Sequence, residues 1–374
     1  MDRNLLGIGI AGTTLSQLER RLLETNTPCS VVLFARNIET PEQLRSLVRE
    51  IKSHGGDHPP LVMIDEEGGH VDRLGELVSG IPGAGDASEL ADPEAFARRL
   101  GERIGEALRF FEIDVNLAPV VDIERNSGGK GLDGRTWGKT AEEVVSRAGA
   151  FMKGHHEFGA ATCLKHFPGL GAGKGDPHYG PSVVKVSSKE LEDVDLVPYR
   201  RLAAEAGAVM IGHSLYPAIE DPDLPASLSR RVSTGLLREV LEFEGVSISD
   251  DMEMHATADL GTFEEIGDRA VLAGNDVVLF CAQIERVPDI LSHMERRLDE
   301  DPAFEARYEQ ALDRADEFRS RCLELRSESR QPRELDEIRA GFDELRKEIE
   351  AATGRVIEKR KQTGSGSTGR EEWT

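Results

Sequence analysis

Positive charge is what this 374-residue chain is short of: 46 lysines and arginines stand against 69 aspartates and glutamates, a formal net charge of −23. A surplus of that sign repels phosphate backbones and anionic bilayers, which excludes nucleic acid and membrane surfaces as partners. Adaptation to high salt and plain solubility are both open readings of the acidity. Long apolar runs are missing too. Nothing approaches the 18 consecutive apolar residues of a membrane span. The opening MDRNLLGIGIAGTTL has neither a basic n-region nor a small-residue cleavage site, so no signal peptide is expected. Cysteine is scarce and scattered. Cys29, Cys163, Cys281 and Cys322 form no CxxC or Cys/His metal spacing, which fits buried free thiols in a reducing, cytoplasmic setting. A glycine-rich phosphate fingerprint after the first apolar run is absent as well, which argues against an open dinucleotide-binding sheet.

What is present is a repeat of another kind. Eight apolar, β-rich segments recur: Leu5–Gly12, Cys29–Arg36, Leu61–Glu66, Ile113–Ile123, Ala161–Phe167, Val209–His213, Val246–Asp250 and Asp276–Cys281. Charged amphipathic stretches such as Pro41–Ser53, Asp92–Phe111 and Glu190–Ala206 separate them. Continuous apolar strands alternating with helices describe a parallel sheet covered on its outer face. Eight such units predict an α/β fold closed as a (β/α)8 TIM barrel over residues 1–300. Residues 301–361 then follow a helical period. Phe304, Tyr308, Ala311, Ala315, Phe318, Cys322 and Leu325 form one apolar seam, and Leu335, Ile338, Phe342, Leu345, Ile349 and Ala352 another, with a break at Gln331-Pro332. These read as a C-terminal helical hairpin packed on the barrel or on a partner copy, so a monomer and a homodimer both remain open. The Gly/Ser-rich stretch 362–374 is expected to be a disordered tail.

Barrel chemistry sits at the C-terminal ends of the strands. Polar residues collect there: Asp65 after the third segment, Lys165 and His166 at the end of the fifth, His213 after the sixth, Asp250 and Asp251 at the end of the seventh. The densest cluster is Lys165-His166-Phe167-Pro168-Gly169-Leu170-Gly171, followed by Asp176-Pro177-His178. A carboxylate two residues from an imidazole favours the imidazolium and fixes the tautomer, which makes a proton donor near neutral pH. A surface turn is the plain alternative. At Ser249-Asp250-Asp251, one carboxylate is suited to attack an anomeric carbon or to stabilise an oxocarbenium-like transition state, and Asp251 to cap the following helix. Around Asp65, two glycines let backbone approach a ligand; no companion His/Asp spacing supports a metal. Arg135, after the fourth segment, either reaches the pocket or faces solvent.

Through this barrel the chain resembles the bacterial N-acetylglucosaminidases of glycoside hydrolase family 3. The segments that carry the resemblance are Val32-Leu33-Phe34-Ala35-Arg36-Asn37, the Asp65–Arg73 stretch, Asn116-Leu117-Ala118-Pro119-Val120, Lys165–Gly171, Asp176–His178, His213 with Tyr216, Gly245–Asp251 and Ala273-Gly274-Asn275-Asp276. By position, the resemblance implies that Asp250 is the nucleophile and that Asp176 and His178 form the acid/base dyad. It further implies that Asp65, Arg135, Lys165 and His166 hold the sugar, with His213 among the substrate-binding residues. No metal and no organic cofactor are implied. Three positions depart from the common pattern: Leu170 for a second loop histidine, His70 for arginine, and Pro177 for serine.

The implied reaction is retaining removal of terminal β-linked N-acetylglucosamine from peptidoglycan-derived fragments (muropeptides) through a covalent glycosyl-enzyme. A histidine base repels anions less than a carboxylate does, so phosphorolysis is the nearest rival. A family 3 β-glucosidase, which ordinarily carries a further sandwich domain, and a non-catalytic saccharide-binding barrel are the others.

Overall fold

The computed structural model describes residues 3–125, 131–174 and 182–357. Eight parallel strands close into a barrel: β1 (Arg3–Gly9), β2 (Thr27–Leu33), β3 (Leu61–Ile64), β4 (Val115–Asn116), β5 (Ala161–Phe167), β6 (Gly207–Ile211), β7 (Val246–Asp251) and β8 (Val277–Phe280). Each pairs with its sequence neighbours, and β8 returns to β1 with Leu6 opposite Val278. The barrel expected from the eight apolar segments is therefore observed. Every strand is buried along nearly its whole length, because its lumen side faces other strands and its outer side faces helices.

The wall is made of α1 (Gln17–Thr25), α2 (Pro41–Lys52), α3 (Pro93–Phe110), α4 (Ala141–Glu157), α5 (Val197–Ala206), a π-helical segment Arg231–Val240, α6 (Phe263–Ala273) and α7 (Val287–Glu300). Local chemistry starts these helices where the strands leave off. Ser16 with Glu19, Thr140 with Glu143 and Thr262 with Glu265 form reciprocal capping boxes, and prolines follow the caps Thr40 and Asp92.

The fourth segment is the irregular one. Only Val115–Asn116 is regular strand, although apolar sequence runs from Ile113 to Ile123. Pro119 has no N–H to give a ladder. Contact with β5 continues in broken form, through Cys163 N–H to the Ala118 carbonyl (3.0 Å) and Val121 N–H to the Lys165 carbonyl (2.7 Å).

Two helices follow the barrel: α8 (Pro302–Glu328) and α9 (Leu335–Thr353). Ala315, Phe318 and Cys322 of α8 join the apolar cluster that fills the barrel lumen, with Cys29, Leu61, Val115, Ala161, Ala208, Val246 and Val277, so α8 seals the N-terminal end. α9 packs against α3 through a seam in which Ile338, Phe342, Leu345 and Ile349 are buried. Each large apolar side chain so covered contributes about 1.5–3 kcal/mol. All four cysteines are buried and unpaired, and burial pushes the Cys29 thiol up to about 12. Among the described residues no helix is long and apolar enough to cross a membrane. The tail 362–374, Asp176 and His178 lie outside the described residues.

A buried carboxylate fastens α8 to the barrel. Asp276, fully buried just before β8, receives Arg238 Nη2 (2.5 Å) and, from α8, Arg307 Nη2 (2.8 Å) and Arg314 Nη1 (3.4 Å). Removing the single anion would leave three partly buried guanidinium groups facing one another. Asp276→Asn should therefore destabilise the fold by about 3–5 kcal/mol, the usual loss when one partner of a buried pair is deleted. Chemical denaturation with an unchanged m-value would measure this; a shift under 1 kcal/mol, on the scale of an exposed pair, would show the cluster to be a weakly coupled surface feature.

Candidate active site

The strand ends gather the predicted residues at one mouth. β5 brings Lys165, which is 2% exposed and survives there only because carboxylates meet it. Its Nζ lies 2.5 Å from Asp65 Oδ1 and 2.6 Å from Glu67 Oε1, both on the chain just beyond β3. Glu67 in turn accepts a two-pronged contact from Arg135, at 2.7 Å from Nε and 2.8 Å from Nη2. Two carboxylates and two cations thus form one neutral, interlocked cluster. Burial alone would raise the Glu67 carboxyl, but Arg135 and Lys165 outweigh it and hold Glu67 well below the usual carboxylate range. Burial would likewise strip Lys165 of its proton, yet Asp65 and Glu67 keep the ammonium above its ordinary value.

The signs set a pH window. A depressed carboxyl keeps its ion-pair stabilisation above the ordinary carboxylate range and loses it only as pH falls through the lowered value. A raised ammonium keeps its stabilisation up to the ordinary lysine range and loses it above. Glu67 and Lys165 accordingly hold their charges across about pH 5–10. Glu67→Gln removes one of the two anions on Lys165 and the carboxylate bound by Arg135's fork. On the sugar-holding role that the resemblance implies for this cluster, affinity for free N-acetylglucosamine should fall at least ~10-fold, which is about 1.4 kcal/mol, and should weaken further toward alkaline pH as burial begins to win at Lys165. Calorimetric titration from neutral to alkaline pH tests this; a flat, wild-type affinity would sink it.

His166, next along β5, is fixed from behind. Its Nδ1 lies 2.8 Å from Asp122 Oδ2, and the same carboxylate accepts the backbone N–H groups of His166 (3.2 Å) and Leu170 (2.6 Å). Asp122 is fully buried and was not singled out by the sequence reading. Its signal was there: the first charge after an apolar run, as at Asp65. Glu67 was also overlooked as the hub of the cluster. Glu66 is occupied otherwise, accepting the N–H groups of Gly68, Arg73 and Leu74 (3.2, 2.8 and 2.8 Å), which folds the loop beyond β3 into shape.

At the end of β7, Asp250 is half-buried, and its Oδ1 accepts the N–H of Asp251 at 2.9 Å. Asp251 itself is buried and does not cap a helix, contrary to expectation. Turns follow it, and the next helix, α6, starts at Phe263 with Thr262 as its cap. Asp251 Oδ1 instead accepts Glu253 N–H (3.1 Å) and Cys281 N–H (3.3 Å), tying the ends of β7 and β8 together. His213, expected among the substrate-binding residues, lies after β6 at the same mouth. Both its ring nitrogens are engaged within the protein, Nδ1 with Ser227 Oγ at 2.7 Å and Nε2 with the Asp251 carbonyl at 2.9 Å.

The mouth so built presents a half-buried carboxylate, fixed histidine and a charge-balanced cluster of hydrogen-bonding groups. That is equipment for holding hydroxyls and performing nucleophilic displacement. Among the described residues, no group of three or more His, Cys, Asp or Glu side chains is placed to hold a metal.

Known proteins are similar to this chain in sequence and fold. Residues 4–315 match the glycosyl hydrolase family 3 N-terminal domain. A Beta-hexosaminidase of Alkalilimnicola ehrlichii is 37% identical over 309 residues, covering 81% of this chain and 86% of that protein. A glycoside hydrolase family 3 β-N-acetylglucosaminidase from Paenibacillus sp. str. FPU-7 superposes with a TM-score of 0.83 at 29% identity, over 92% of this chain and 67% of that one. A fungal multi-domain GH3 β-N-acetylglucosaminidase gives a TM-score of 0.84 at 27% identity, over 94% of this chain; the chain spans only 42% of that larger protein.

Proposed function

Since this chain belongs to glycosyl hydrolase family 3 and is a hydrolase of its β-N-acetylhexosaminidase type, we propose that it removes terminal β-linked N-acetylglucosamine with retention of configuration, acting on peptidoglycan-derived fragments. The observation that carries this reading is the placement of Asp250. Its carboxylate is held by the Asp251 N–H at the barrel mouth that also holds Lys165, Asp65, Glu67, Arg135 and His166.

Asp250 attacks the anomeric carbon, and the Lys165–Asp65–Glu67–Arg135 cluster with His166 grips the sugar through hydroxyl and amide contacts. A covalent glycosyl-enzyme forms as the aglycone leaves with a proton. His178 of the Asp176-Pro177-His178 motif, which follows β5 in sequence, supplies that proton and later takes one from the attacking water.

The anomer released first from 4-nitrophenyl N-acetyl-β-glucosaminide, followed by NMR, tests the mechanism. Initial β-anomer supports it; initial α-anomer would mean single displacement, with no glycosyl-enzyme. A 4-nitrophenyl glucoside run alongside should be poor if the acetamido group is recognised. Purified muropeptides, with and without phosphate, then test the natural substrate and water as acceptor. Free N-acetylglucosamine is expected in both cases, and a sugar phosphate would mark a phosphorylase.

A further inference from the structure

His213 stands apart from the other polar residues of the mouth. A group that binds sugar must have a donor or acceptor to offer, and this imidazole has spent both. A carbonyl oxygen only accepts, so the 2.9 Å contact with the Asp251 carbonyl requires the proton on Nε2. Nδ1, 2.7 Å from Ser227 Oγ, then accepts from the serine hydroxyl. Burial holds the ring's pKa below its ordinary value despite the opposing charge of Asp250, so the neutral form with this one tautomer persists.

Ser227 is fixed in its own right. It is fully buried, its N–H donates to the Gly212 carbonyl (3.1 Å), and its carbonyl accepts the Asn275 side-chain amide (2.8 Å). A chain of hydrogen bonds therefore runs from the approach to β8, through Ser227 and His213 after β6, to the end of β7. It terminates on Asp251, whose N–H holds the Asp250 carboxylate.

We propose that His213 is a positioning residue for Asp250, gripping the Asp251 carbonyl through the tautomer that Ser227 selects, so that the Asp251 N–H presents the carboxylate to the anomeric carbon. The role rests on Asp250 being the nucleophile. Loss of the grip removes one of the hydrogen bonds that hold the Asp251–Met252 peptide, leaving the Met252 N–H on the Leu279 carbonyl (3.0 Å), so the chain at Asp251 shifts; a displacement of about 1 Å at the attacking oxygen suffices to cost ~100-fold in rate. Sugar affinity is carried by the cluster around Lys165 and should not change.

The experiment compares His213→Leu, His213→Gln and Ser227→Ala on 4-nitrophenyl N-acetyl-β-glucosaminide, with inhibition by free N-acetylglucosamine and melting curves alongside. His213→Leu should lower kcat ~100-fold and leave the inhibition constant within about threefold, under 1 kcal/mol. His213→Gln, whose amide N–H reaches as Nε2 does, should recover about tenfold of that loss, and Ser227→Ala should lose about threefold to tenfold through partial release of the tautomer. Unchanged kcat in a folded leucine variant overturns the proposal. So does a loss confined to KM and the inhibition constant, which would make His213 a sugar ligand, and so does a glutamine variant no better than leucine. If the leucine variant does not fold, Ser227→Ala decides: reduced kcat at unchanged inhibition supports the proposal, and wild-type kcat overturns it. The nucleophile is established separately by adding azide to Asp250→Gly, where an α-glycosyl azide is the expected product. Failure there would remove the assignment of Asp250, whatever the His213 variants do.

Discussion

Asp250→Ala should lower turnover by about 10⁴–10⁶-fold, the scale seen when an enzyme's nucleophile is deleted. The variant should melt near the wild-type temperature, because Asp250 is half-buried and its described hydrogen bond is to the N–H of its own neighbour. Asp251→Ala should show the opposite pattern. That side chain is buried, and burial first, then the nearby Glu253 charge, push its carboxyl well above the usual carboxylate range. It ties the end of β7 to the end of β8 through the Cys281 N–H and also accepts the Glu253 N–H of its own turn, and the substitution leaves both without this acceptor. A loss of about 1–3 kcal/mol in stability is expected for each buried group left unsatisfied, with smaller damage to the chemical step. Turnover on an activated aryl substrate and melting temperature, measured on both variants, separate the roles. Substantial activity in Asp250→Ala would mean that the covalent step lies elsewhere.

How much of this was legible without coordinates follows from the physics of each residue. The eight strands were legible because a strand covered on both faces becomes an uninterrupted apolar run, and nothing else in the chain looks like one. Asp65, Lys165 and Asp250 were legible for the converse reason, as charges at the ends of those runs, where a barrel puts its mouth. Glu67 and Asp122 carried the same signal but stood beside more conspicuous neighbours: Glu67 within Asp65-Glu66-Glu67, and Asp122 inside a segment whose regular strand stops at Asn116. Which of three consecutive carboxylates meets Lys165 depends on how the loop turns, and that turn is set by Glu66 binding backbone N–H groups across residues 68–74. Sequence spacing does not encode such contacts. Asp251 was misread because an aspartate after a strand looks like a helix cap; the helix begins eleven residues later than a cap there requires. His213 is legible as a polar residue at a strand end, but the partners of its two ring nitrogens, Ser227 and the Asp251 carbonyl, are far away in sequence and leave no mark there.

The acid/base dyad gives the sharpest remaining test, because an acid's value depends on how poor the leaving group is. A nitrophenolate departs almost unaided, whereas a sugar alkoxide needs its proton delivered in the transition state. His178→Ala should therefore slow cleavage of a disaccharide by roughly 10²–10⁴-fold, the usual contribution of a general acid. Glycosylation by a nitrophenyl substrate should suffer far less. On that substrate the second step, which needs the same residue as base, becomes limiting, and pre-steady-state traces should show a burst of nitrophenolate. Asp176→Ala should act in the same direction more mildly. A carboxylate partner raises an imidazole's pKa, so removing it lowers that pKa, and the alkaline limb of kcat/KM, where the acid has lost its proton, should move to lower pH. Binding of N-acetylglucosamine, which we propose is carried by Asp65, Glu67, Arg135, Lys165 and His166, should be unaffected in both variants. Equal losses on the disaccharide and the nitrophenyl substrate would assign the loop beyond β5 to substrate positioning, and the proton would then have to come from another group at the mouth.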